Sequence, residues 1–488
     1  MINENDFYTL IKEGEVVAGS KEERNIYLKL SSLLKERTDQ VRVEQIRVMN
    51  WELKHSKFYV NGEAIPEDKY VVLPYSPSSY EKGTLEKDFM ISKINSLLEL
   101  PFVYEKCYSS ETCKALFIYM DDSLRKFVLK SGPFLQRKYS KPPTVPALYI
   151  TPELASKVEK NKGDIELQIE TSFNPYSVGF IIEGILNGKR ESSIYITAHH
   201  DHWFNGFRDN MASLLTLLNI ERSESELHLV SFTAEESGSP SFSSWSWSYG
   251  SLNFLEKRKN KLDNITLNIN LDNLETSNIE ALATPGISNI VYRLLNTKIE
   301  IDPYNDGYSF IKYGIPSIMI ESRSSPVYHS NKDDLDKKIF SYAIKELPIL
   351  IQKIIGNYID SNKNYKEVTD FIKNESSYLT TNLKSYVTNL TEELFRKDEM
   401  IYRNILRLCG ATITPIDSTA NVKLFPVLYG VSNVNKSYID IENFGRIDRL
   451  IDNGYGLLRE YLIYLDAIKE EYSEIYINEI YNALKKFF

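Results

Sequence analysis

The sequence predicts an α/β protein: a doubly wound, mostly parallel sheet, with a smaller α/β domain inserted near its start and a helical domain at its end. Three observations carry this. Between residues 177 and 360 short apolar runs alternate with helical stretches, from 46 to 168 the strands are shorter and broken by prolines, and beyond 361 strand signals almost vanish. A chain of 488 residues is too long for one ordinary core, and a length of about 150 residues per domain suggests roughly two to four of them. The expected division assigns 1–45 and 169–360 to the main domain, 46–168 to the insertion and 361–488 to the helical tail.

In chain order, Gly19-Ser20 supplies a cap for a helix over 22–34, where Ile26, Leu28, Leu30, Leu33 and Leu34 give the apolar period. Within the insertion, 70–73, 115–120 and 147–150 read as strands and 85–98 as a helix, while Thr151-Pro152-Glu153 places a cap, a first-turn proline and an acid at another helix start. The main domain offers buried strands at 180–186, 193–198, 227–232, 265–271 and 315–320, with helices at 211–220, 252–258, 287–295 and 339–358 between and after them. The tail ends in a long helix whose Leu458, Tyr461, Leu465, Ile468, Tyr472 and Ile475 form an apolar stripe. Such a stripe needs a partner, and packing within its own domain is commoner than a seam between two subunits.

Composition narrows the function classes. A net charge of −9 with Lys and Arg spread along the chain offers no basic patch for a phosphate backbone, so nucleic acid is not an expected partner. The start, MINENDFYTL, lacks a basic region followed by an apolar stretch. No apolar run approaches the roughly 20 residues needed to span a bilayer. A cytoplasmic protein without a membrane partner is the expectation. The three cysteines, Cys107, Cys113 and Cys409, have no zinc-knuckle spacing; for that address Cys107 and Cys113 are expected as reduced thiols, with a bridge as the alternative in an oxidising compartment.

The chemistry concentrates at predicted strand ends, where open α/β sheets bind ligands. His199, Asp209, Glu236, Asp272 and His329 each lie at or just beyond such an end. Three carboxylates and two imidazoles make a ligand set for two Zn2+ ions, with His199 and Asp272 on one, Glu236 and His329 on the other, and Asp209 shared. Singly, each has an ordinary explanation: Asp209 heads a helix and is a natural cap. Together with Asp201 and Glu235, however, these acids crowd one crevice, which is hard to explain without a cation. Glu235 precedes Glu236 directly after the strand 227–232, and neighbouring residues point to different sides. That lets Glu236 bind metal while Glu235 faces the cavity and takes a proton from water. Asp201 stands two residues after His199 and is the expected acceptor for its second ring N–H. His200 and His202 are expected to be structural.

The ordered motifs Ala198-His199-His200-Asp201-His202-Trp203, Asp209-Asn210, Glu235-Glu236-Ser237-Gly238, Leu271-Asp272, Gly314-Ile315-Pro316 and Tyr328-His329 resemble those of zinc aminopeptidases related to glutamate carboxypeptidase II and the transferrin receptor. The resemblance covers 170–360, and more weakly 111–160 is similar to the protease-associated domain inserted in many members. It implies a zinc-exopeptidase-like sheet and a helical tail through which a homodimer forms. It also implies His199, Asp209, Glu236, Asp272 and His329 as metal ligands, Asp201 as the orienting acid and Glu235 as the general base. Two positions depart from the pattern: Met211-Ala212-Ser213 replaces a small residue and glycine, and His200 stands where an aromatic residue is usual.

The expected activity is hydrolysis of the N-terminal bond of a short peptide. A carboxypeptidase would instead need a guanidinium near His329 to clamp the substrate carboxylate, and Arg323 is the arginine at hand. A third alternative is a binding or assembly protein that uses the sheet as a scaffold. Trp203, Trp245, Trp247 and Tyr249 offer walls for a specificity pocket, although aromatic residues this dense are more often packing.

Overall fold

The computed structural model describes residue 10, residues 14–129, 143–161, 163–239, 248–302 and 304–375, and a few positions between 399 and 406. In order its strands are β1 (Gln40–Val60), β2 (Glu63–Ala64), β3 (Tyr70–Val72), β4 (Ser79–Thr84), β5 (Phe89–Lys93), β6 (Ala115–Tyr119), β7 (Ala147–Ile150), β8 (Asp164–Leu186), β9 (Arg190–His199), β10 (Ser225–Phe232), β11 (Ile265–Leu271), β12 (Glu280–Ala283), β13 (Asn296–Ile299) and β14 (Ser317–Glu321). Among the described residues they form a ten-stranded sheet, in the order β13-β12-β14-β11-β9-β10-β8-β1-β2 with β4 on β8, and a four-stranded sheet in the order β3-β7-β6-β5.

The large sheet is mixed, which corrects the expectation of a mostly parallel one. Its centre, β14-β11-β9-β10, is parallel, and its strands are mostly apolar and largely buried because both faces are covered. On one side β8 returns antiparallel to β10 and then to β1; on the other β12 is antiparallel to β14. On the first side the cause is the two long strands, 21 and 23 residues, which leave the sheet as a paired ribbon and carry the small sheet at its far end. Positions 46 and 168 fall inside this ribbon.

Helices sandwich the parallel centre. The helix Lys21–Lys35 is capped by Ser20, whose side chain accepts from the Glu23 N–H at 3.0 Å. Its Ile26, Leu30 and Leu34 join Ile182, Leu186 and Leu215 in the core of one face, each full burial contributing about 1.5–3 kcal/mol. Ala212–Leu218 and the continuous helical stretch 337–360 complete that face. Tyr249–Glu256 and Asp306–Lys312 cover the other, where Phe254 and Phe310 pack on Phe232 and Tyr195.

Two expected helices are corrected. Within 85–98 the chain makes one helical turn, Leu85–Asp88, and then β5, because Phe89 to Lys93 pair in parallel with β6; the longer helix begins later, Leu100–Tyr108. Within 287–295 only the turn Ser288–Ile290 is helical. The expected pair of reduced thiols is also corrected: Cys107 and Cys113 form a disulfide across a Cα separation of 5.3 Å, because the end of the helix Leu100–Tyr108 and the approach to β6 bring them side by side. The small sheet has its own apolar core, into which Trp203 from the loop after β9 also packs. No helix among the described residues is long and apolar enough to cross a membrane. The stripe from Leu458 to Ile475, and Trp245 and Trp247, lie outside the described residues.

Candidate metal centre

Three of the candidate ligands follow directly from the C-terminal ends of parallel central strands, and the other two lie in the segments beyond such ends. His199 is the last residue of β9, Asp272 follows β11, and Glu235-Glu236 follow β10 through Ala234, which sits in the left-handed region at φ 55°. That turn is pinned by the N–H groups of Tyr249 and Ser248, which donate to the carbonyls of Ala234 at 2.9 Å and Glu235 at 2.8 Å. Asp209 stands in the turn Phe207–Met211, and Asp333 holds its backbone by accepting from the N–H groups of Arg208 at 3.0 Å and Asp209 at 3.2 Å. His329 belongs to the loop after β14 and has φ 55°.

The five come together in two groups that share Asp209. His199, Asp209 and Asp272 make one and Asp209, Glu236 and His329 the other, with the ligand atoms of each group within 4.8 Å of one another. His199 Nε2 lies 3.4 Å from Asp209 Oδ1 and 3.4 Å from Asp272 Oδ1, whereas His329 Nε2 lies 3.3 Å from Asp209 Oδ2 and 2.9 Å from Glu236 Oε1. Each oxygen of Asp209 thus faces a different imidazole. His329 Nε2 and Asp209 Oδ1 are buried yet make no hydrogen bond among the described residues, an arrangement that costs free energy unless something else meets them. Imidazole nitrogens and carboxylate oxygens are the donors zinc takes, so the residues present fit a pair of divalent cations.

The electrostatics of the bare protein say the same. Burial pushes Glu235 well up, and although His199 opposes this, Asp272, Glu236 and Asp306 add to it. Burial likewise raises Asp272, and Glu236 is pushed up to about 7 by burial and by Asp209, against His329. Burial disfavours a charged His329, but Glu236 and Asp209 outweigh it and drive the ring up to about 10. Asp209 is also desolvated, yet the two imidazoles hold it well below the usual carboxylate range. Bound protons here do the work that positive ions would do.

Asp201 acts differently from the expectation. The Nδ1 of His199 meets the Asp201 backbone carbonyl at 2.9 Å, while the Asp201 carboxylate is 3.8 Å away. The carboxylate instead accepts from the N–H groups of Glu235 at 3.1 Å and Glu236 at 3.0 Å. It therefore orients Glu235 and Glu236 rather than the imidazole, because the chain bends after β9 and turns the side chain toward the β10 loop. His200 and His202 are structural: His200 lies between Ser231 Oγ at 2.8 Å and the buried Glu23 at 3.3 Å, and burial pushes His202 down to about 4 between the carbonyls of His200 and Gly14.

Several functional neighbours carried no sequence signal. Ser248 donates to Glu235 Oε1 at 3.0 Å. Asp306 is fully buried, its two carboxylate oxygens make no hydrogen bond among the described residues, and as the first residue after the cap Asn305 it looks in sequence like any helix-start acid. Burial pushes it up to about 7, against the pull of His199. The folded state then holds a proton that the unfolded state releases near 3.8, so between these values stability falls as pH rises. In metal-free protein the melting temperature is expected to fall less steeply from pH 5 to 7.5 for Asp306→Asn than for the unaltered chain; equal slopes would refute this. Trp203 is buried as core packing, with its Nε1 donating to Glu236 Oε2 at 3.0 Å.

Arg323 is not available as a clamp. Its guanidinium already pairs with Glu321 at 2.7 Å, Asp302 at 2.7 Å and Glu300 at 2.9 Å.

Compared with known proteins, residues 182–347 match the family model described as Peptidase family M28. No curated protein matches the chain. Among solved structures, the chain is similar to a zinc aminopeptidase from Bacillus subtilis, at 16% identity and a TM-score of 0.53 over 74% of this chain and 95% of that one. It is also similar to a Peptidase M28 precursor from Shewanella amazonensis SB2B (14%, TM-score 0.57, 74% and 94%) and to an aminopeptidase from Aneurinibacillus sp. strain AM-1 (16%, TM-score 0.50, 74% and 94%). At these identities the likeness is one of fold, a mixed α/β architecture around a large central sheet.

Proposed function

We propose, with the match of residues 182–347 to a peptidase family model as premise, that the chain is a zinc-dependent aminopeptidase that removes residues from the N-terminus of short peptides. The observation that carries this reading is the pair of ligand groups joined by the two oxygens of Asp209. His199 and Asp272 would hold one zinc, Glu236 and His329 the other, and Asp209 both. Two bound zincs supply Lewis acidity, acidifying water and polarising the scissile carbonyl.

Glu235 does the proton work. Its Oε1 is engaged by Ser248, which leaves Oε2 to accept a proton from the attacking water and return it to the amine nitrogen as the peptide bond breaks. The two N–H groups on Asp201 keep the Glu235-Glu236 turn in register with both tasks. The narrower kinship with glutamate carboxypeptidase II and the transferrin receptor belongs to this proposal and is supported by the motifs alone.

Arg323, saturated by carboxylates, argues against a carboxypeptidase. Purified protein is expected to contain zinc, to cleave aminoacyl anilides, and to lose that activity to a chelator and regain it with zinc. Peptides acetylated at the N-terminus should resist and those amidated at the C-terminus should be cut. The reverse preference would favour the carboxypeptidase, and protein without bound metal would favour a scaffold.

A further inference from the structure

The two imidazoles of the centre are held by different parts of the chain. His199 is oriented by its own strand end, through the Asp201 carbonyl. His329 Nδ1 instead donates to the carbonyl of Lys126 at 3.0 Å, across 203 residues, from the segment that follows β6 in the small lobe. The Lys126 N–H returns a bond to the His329 carbonyl at 3.0 Å. Beside it, the Leu124 N–H donates to Asn331 Oδ1 at 3.0 Å and the Asn331 N–H to the Leu124 carbonyl at 2.9 Å. Arg125 is buried, and its guanidinium donates to the carbonyls of Tyr328 and Pro326 while pairing with Asp121.

Such holding is needed, because a histidine at φ 55° occupies a region that residues with side chains rarely adopt. Glu236 is tied to the same lobe: Trp203, which donates to Glu236 Oε2, packs in the small lobe's core. By contrast, among the described residues the hydrogen-bond partners of His199 and Asp272 all come from the main sheet and its loops.

We propose that the small lobe is a working part of the centre: Lys126 and Arg125 position His329, so that retention of zinc by Asp209, Glu236 and His329 depends on the docked lobe, while retention by His199, Asp209 and Asp272 does not. This rests on the reading of the site as a zinc centre. A partner that fixes the ring of a ligating histidine typically changes metal affinity by about 10–100-fold when lost. By linkage, zinc in turn tightens the docking of the lobe.

The test compares full-length wild type with Arg125→Gln by zinc titration and by zinc content after dialysis, with circular dichroism to establish that the variant is folded. Wild type is expected to retain two zincs, and Arg125→Gln to retain one while binding the second about tenfold or more weakly. Arg125→Lys, which keeps the charge but not the paired donors, should fall between. Two zincs held as in wild type, or both weakened equally in a folded variant, would overturn the proposal. Hydrogen exchange of the unaltered protein asks the same question without a substitution: amides in 121–129 should gain protection when zinc is added, and no gain with both sites filled would overturn it. Wild type that retains no zinc would refute the zinc reading itself, and its own zinc content tells that failure from the other.

Discussion

Replacing Glu235 by Gln is expected to lower turnover by about 10²–10⁴-fold and to leave the zinc content unchanged. The amide is nearly the same size, still accepts from Ser248, and cannot take a proton. Glu235 belongs to neither ligand group, so no metal contact is lost. Glu236→Gln is the necessary contrast. That carboxylate lies 2.9 Å from His329 Nε2, and its loss should weaken zinc as well as activity. Measuring kcat and zinc content for both variants separates the roles. If Glu235→Gln also sheds metal, or retains nearly full kcat, the assignment of base and ligand is wrong.

Asp209→Ala is expected to have the larger effect on metal, removing both zincs at once, whereas Asp272→Ala and Glu236→Ala should each remove one. Its two oxygens face His199 and His329 separately, so one truncation takes a ligand from each group. Activity should fall to background in step. Stability should respond too: an ion present at 100 times its dissociation constant stabilises the folded state by about 2.7 kcal/mol per site, an increment that zinc would no longer give this variant. Elemental analysis after gel filtration, with melting curves in zinc and in chelator, reads both effects. Two zincs retained in Asp209→Ala would mean that Asp209 does not join the groups.

The central strands were legible because a strand covered on both faces is rich in apolar residues, as in Leu267, Ile269 and Leu271, even though Asn268 and Asn270 are buried between them. The ribbon was not. Much of β1 and of the first half of β8 alternates between exposed and partly buried residues, and a strand with one wet face looks from composition like loop. The misread helix at 85–98 has a related cause: Phe89, Met90 and Ile91 suit either period, and only pairing with Ala115, Leu116 and Phe117 decides between them.

At the site, all five candidate ligands were legible from their places at or beyond strand ends, and the structure brings them together. The role of Asp201 was misread because its backbone carbonyl and its carboxylate compete for the same ring nitrogen, and no spacing rule says which is nearer. Asp333, Asp306 and Lys126 were missed for a similar reason, since each acts through a contact with residues distant in sequence.

By itself the sequence determined which chemical groups the centre holds and that they are too acidic to be buried together without positive charge, since side-chain identity and strand-end position are written in the order of residues. Tertiary structure alone decided which oxygen of Asp209 faces which imidazole, and that the carbonyl of Lys126 steadies His329. Every residue carries a carbonyl, so only the docking of one lobe on another singles out the one that matters.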